Sequence, residues 1–67
     1  MDKNEIREIM QGEIRRLINM ALRAAPADRH LFMHQGFGMV QLYLELYPSD
    51  TGEIIEWWDD RREEFFQ

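Results

Sequence analysis

Apolar residues recur at Ile6, Ile9, Met10, Ile14, Leu17, Ile18, Ala21 and Ala24, with Arg7, Glu8, Arg15, Asn19 and Arg23 between them. A period of about 3.6 residues predicts an amphipathic helix over residues 3–24. Pro26 bounds it. The run Ala25-Pro-Ala-Asp suits a helix restart, because proline is tolerated at a first helical position and Asp28 complements the positive end of the helix dipole.

The last segment, residues 49–67, is written largely in doublets: Ile54-Ile55, Trp57-Trp58, Asp59-Asp60, Arg61-Arg62, Glu63-Glu64 and Phe65-Phe66. Wound at about 100° per residue, the Ile, Trp and Phe side chains gather on one half of a helix. Glu53, Glu56, Asp59, Asp60, Glu63 and Glu64 gather on the other half. Asp50 precedes Glu53 by three residues, a spacing that resembles a capping box.

Residues 27–47 carry two patterns at once. As a helix, they collect His30, His34, Gly38, Gln41 and Glu45 into a narrow polar stripe and leave most of the rest apolar, as in a central helix. Gly36 and Gly38 each cost roughly 1 kcal/mol in a helix interior, which predicts a break at Gly36-Phe-Gly38. As strands, Val40, Leu42, Leu44 and Leu46 alternate with Gln41, Tyr43 and Glu45, and the glycines turn a hairpin. Val40 is the segment's one β-branched residue, which favours the helix. The expected fold is therefore a mainly α, three-helix domain over residues 1–67, up-down-up, with a break at Gly36–Gly38. The alternative is an α+β helix–hairpin–helix.

Sixty-seven residues make one domain of modest intrinsic stability, and there is no cysteine to staple it. Disulfides and cysteine-based zinc sites are excluded, and self-association becomes the common remedy. A polar N-terminus and the lack of an apolar run near 18 residues predict neither signal peptide nor membrane span, and a cytoplasmic location.

Charge is unevenly placed. Residues 1–30 hold six basic and five acidic side chains, whereas residues 31–67 hold two basic and eight acidic ones, giving the net −5. Phosphate backbones reward clustered Lys and Arg, so direct nucleic-acid binding is disfavoured. The expected counterpart is another protein with a basic or apolar groove, or a second copy of the chain.

Candidate chemistry is sparse. Ser49 lies far from any nucleophile elbow, Gly36-Phe-Gly38 lacks the third glycine of a dinucleotide loop, and the paired acids sit on a solvated face. His30 and His34 have metal-compatible i, i+4 spacing, but no third ligand is implied, so neither a metal nor a cofactor is expected. Two charges intrude on apolar faces. Glu13 lies among Ile6, Ile9, Met10 and Leu17, and Arg61 and Arg62 lie between Trp58 and Phe65. An unpaired buried charge is expensive, which predicts a buried ion pair between Glu13 and Arg61 or Arg62.

The functional expectation is a non-enzymatic acidic interaction module, an adaptor, regulator or self-associating domain, that binds through Trp57, Trp58, Arg61 and Phe65. These are the residue types that dominate interface hot spots. The alternative is a phage or mobile-element inhibitor of a host nucleic-acid-binding or defence enzyme, acting through Glu56, Asp59, Asp60 and Glu63.

Overall fold

The computed structural model describes all 67 residues. Helix α1 spans Lys3–Arg23, α2 spans Arg29–Leu46 and α3 spans Thr51–Arg62. Short 3-10 turns at Pro26–Asp28 and Pro48–Asp50 join them, and a third, Glu63–Phe66, extends α3. The Asp2 carboxylate caps α1 by accepting from the Glu5 backbone N–H at 2.9 Å, satisfying one donor that the first turn leaves free. Both prolines sit in the first position of a 3-10 turn, where no N–H is required.

The three helices run up, down and up. Lys3 and Arg7 of α1 reach Asp50 and Glu53 at the start of α3, and further along Ile18 and Asn19 line a shallow depression with Glu64. Helices α1 and α3 are thus parallel. Helix α2 returns between those ends, with Arg29 donating to the Gln67 carbonyl at 3.0 Å.

The core is built from Met10, Ile14, Leu17, Ile18 and Ala21 of α1, Val40 and Tyr43 of α2, Ile54 and Trp58 of α3, and Phe65. The mainly α three-helix expectation holds, and the hairpin alternative does not. The expected break at Gly36–Gly38 is absent, because α2 is one uninterrupted helix. The two glycines have different roles. A Cβ at Gly36 would lie 3.1 Å from two indole carbons of Trp58, so the missing side chain lets the ring lie against the α2 backbone. Packing of that indole offsets the conformational cost of glycine. At Gly38 a Cβ would meet nothing within 4 Å.

Candidate functional site

Consecutive residues on a helix are 100° apart, and α3 divides its doublets accordingly. Trp58 and Phe65 are 4% and 0% exposed, whereas Trp57 is half-buried and Phe66 lies in the open. Trp58 stacks obliquely with Phe37 and Phe65, at centroid separations of 5.9 and 6.0 Å. Of the four residues expected to bind a partner on that side, Trp58 and Phe65 are core, and Trp57 and Arg61 are half-buried at its edge.

The expected buried ion pair is corrected as well. Glu13 is held by Arg16 of its own helix, whose guanidinium donates to the carboxylate at 2.8, 3.1 and 3.3 Å. That contact holds the Glu13 carboxyl below its ordinary range. Arg61 pairs with Glu64 and Arg62 with Asp59, each three residues away. A partner one helical turn away is reached with little loss of side-chain freedom, and all these groups keep access to water. Glu13 lines instead a groove between α1 and α2 that no α3 residue borders.

That groove is the main apolar opening on the molecule, with a volume of ≈ 260 Å³ between α1 and α2. Its walls are Ile6, Ile9 and Met10 on one side and Met39, Leu42 and Leu46 on the other, with Tyr43 at its floor and Glu13 at one end. Ile9, Leu42 and Leu46 are 53, 60 and 59% exposed, so three large aliphatic side chains stand together in water. The periodicity of α1 contained this signal. Residues Ile6, Ile9, Glu13, Arg16 and Met20 recur at alternating spacings of three and four, forming a second seam beside the one that packs into the core.

At the far end of α2 lies a polar cluster that the sequence pattern did not suggest. The Tyr43 hydroxyl donates to Asp50 at 2.6 Å, and Lys3 donates to the other carboxylate oxygen at 3.2 Å. Asp50 is therefore not the side-chain cap that its spacing to Glu53 predicted. It is an acceptor that joins residues from α1 and α2 to the start of α3, while Thr51 Oγ1 turns to the Pro48 carbonyl at 2.6 Å. Burial, and then the bond to Asp50, push the Tyr43 hydroxyl up to about 12. The Tyr43 hydrogen bond is also the largest influence lowering the Asp50 carboxyl, ahead of the contribution from Lys3.

The acidic side of α3 is open to solvent. Glu53, Glu56, Asp60 and Glu63 form a stripe with one residue per turn, and Asp59 lies beside it. Arg7 occupies Glu53 at 2.9 Å, whereas Glu56, Asp60 and Glu63 take part in no ion pair. His30 and His34 meet edge to face with centroids 6.1 Å apart, and no third ligating side chain is grouped with them. No helix is long and apolar enough to cross a membrane. No protein-family model, curated protein or solved structure matches the chain.

Proposed function

We propose that this chain is a non-enzymatic protein–protein interaction module whose principal contact surface is the outer α1/α2 face. The observation that carries this reading is the shared exposure of Ile9, Leu42 and Leu46 along one groove. Scattered surface leucines are ordinary, but a contiguous aliphatic strip with polar borders is the usual character of a docking surface. The two groups with buried, shifted titration, Tyr43 and Asp50, are committed to each other and to Lys3. They work as structure.

A second reading rests on the α3 stripe. Glu56, Asp60 and Glu63 present carboxylates at helical spacing without local counter-charges, on a chain of net −5. Such a stripe suits the basic groove of a nucleic-acid-binding enzyme, the role of an inhibitor from a phage or mobile element.

One capture experiment from the native host separates the two. Wild type is compared with a Leu42→Lys/Leu46→Lys variant and with a Glu56→Lys/Asp60→Lys/Glu63→Lys variant. The leading reading expects the retained partner to be lost only with the leucine variant. Loss with the α3 variant alone, together with steep weakening between low and moderate salt, transfers the function to the acidic stripe.

A further inference from the structure

We infer that the outer α1/α2 face takes a short amphipathic helix of another protein, one that carries lysine or arginine on both flanks of an aliphatic stripe. The inference rests on that face being the contact surface and names the chemistry of what covers it. On α1 the groove runs from Ile6 to Glu13, about two helical turns or roughly 10 Å. Exposed Ile9 stands on one wall, and exposed Leu42 and Leu46 stand on the other. A furrow of that length between two helices suits apolar side chains spaced at i, i+3 or i+4, and i+7 on a third.

Inside the groove the polar groups are already engaged. Two oxygen-bearing side chains line it: the Tyr43 hydroxyl donates to Asp50, and the Glu13 carboxylate accepts from Arg16. Neither is free to orient a polar small molecule, and the ≈ 260 Å³ volume falls below the roughly 300 Å³ at which pockets for such molecules begin. The interior therefore selects for apolar shape alone. Selection by charge is left to the rims.

Both rims are acidic and uncompensated. On the α1 rim Glu5 lies one turn before Ile9, with Glu8 on the next turn, and on the α2 rim Glu45 follows Leu42 by one turn. Because α1 and α2 are antiparallel, Glu5 and Glu45 stand at the same end of the groove, beside Ile6 and Leu46. Glu5, Glu8 and Glu45 are exposed, and none of them joins an ion pair. The cations that could have neutralised them are turned elsewhere, Lys3 to Asp50, Arg7 to Glu53 and Arg16 to Glu13. A helix with cationic flanks matches both sides of the furrow: its Lys or Arg stems lie along Leu42 and Leu46 while their heads reach the carboxylates. Anionic lipid headgroups and nucleic-acid phosphates are repelled by the same rims, and a second copy of the chain brings net −5 and identical acids with it.

Two synthetic helix-favouring peptides of about fourteen residues test this, both with leucines at i, i+4, i+7 and i+11, one with lysine and the other with glutamate at the flanking positions. Binding to the full chain is read by titration calorimetry and by shifts of backbone amide NMR signals, with far-UV circular dichroism as the folding control. The lysine peptide is expected to bind wild type and to move the signals of the groove residues, and the glutamate peptide to bind at least about tenfold more weakly. Leu42→Lys/Leu46→Lys is expected to abolish binding of the lysine peptide. Glu5→Lys/Glu45→Lys is expected to weaken the lysine peptide by about tenfold and to strengthen the glutamate peptide by a similar factor, a reversal that loss of folding does not produce. Glu56→Lys/Asp60→Lys/Glu63→Lys is expected to bind as wild type does, which separates the rims from the acids of α3.

No binding of either peptide overturns the inference, as does equal binding of the two. So does a lysine-peptide affinity that is unchanged by the leucine variant or by the rim variant, or that is lost in the α3 variant. Self-association of wild type in sedimentation equilibrium, abolished by Leu42→Lys/Leu46→Lys, overturns it as well, because a second copy then occupies the face. If the inference falls while the leucine variant still loses the captured host protein, the interaction reading stands with a partner of other chemistry. If that capture also survives the leucine variant, both fall.

Discussion

The aromatic side of α3 and the outer face of α1/α2 both carry large apolar side chains, yet one is closed and the other open. On α3 the large rings of Trp58 and Phe65 reach across to Gly36 and become the core, leaving Trp57 and Phe66 at the margin. On the outer face, Ile9, Leu42 and Leu46 have no third helix above them. A three-helix chain of this length covers one side of its central helix pair and leaves the other bare. Residues of great hot-spot potential were therefore drawn inside, and plainer aliphatic ones were left in the open.

The largest expected contrast comes from truncation on each side. Phe65→Ala opens a cavity at a fully buried position and is expected to cost about 3–5 kcal/mol, enough to unfold much of a small domain in thermal melts. Leu42→Ala, at a position 60% exposed, is expected to change monomer stability by less than about 0.5 kcal/mol. A large loss at Leu42 in dilute solution would erase the distinction between the two sides.

Next comes Tyr43→Phe, which keeps the ring and removes the donor to Asp50, with an expected loss of about 1–2 kcal/mol in denaturant titration. The same bond sets the pH response. Tyr43 is raised in the fold from its ordinary 10.0 to about 12, so its stabilisation is full below pH 10 and is lost as pH climbs toward 12. Asp50 is lowered in the fold from 3.8, so its stabilisation is present above that value and is lost as pH falls through the native one. Melting temperature against pH should show both flanks in wild type. The alkaline flank should flatten in Tyr43→Phe.

The two glycines of α2 give a smaller, signed contrast. Gly36→Ala forces a methyl group to 3.1 Å from the Trp58 ring, and the strain should exceed the gain in helix propensity by about 1 kcal/mol. Gly38→Ala meets no atom and should stabilise the monomer by about 0.5–1 kcal/mol. Equal effects in paired melts would mean that Trp58 does not rest on α2.

Helix extents were legible because local signals agreed: an apolar period and a proline at both connections. Gly36 misled because intrinsic propensity counts the loss of Cβ as a cost, whereas the approaching indole turns that space to use. Glu13 misled for another reason. A helical projection shows that a residue lies among apolar neighbours but not which of two seams the third helix will cover, and α1 has two. The Tyr43–Asp50–Lys3 cluster joins positions 3, 43 and 50, and no short-range pattern encodes a meeting over that separation. The exposed strip on α1/α2 was present in the spacing of Ile6, Ile9, Glu13, Arg16 and Met20. It was overshadowed by the richer aromatic letters downstream.

The indole that rests on Gly36 also gives the molecule an optical gauge. Trp58 is shielded and Trp57 is partly wetted, so a water-borne quencher should dim one emitter while sparing the other. Any loosening of α3 from α2 admits water to the sheltered ring and moves its emission to the red. Because neither tryptophan lines the α1/α2 groove, that colour change reports on the interior and stays silent when the outer face finds company.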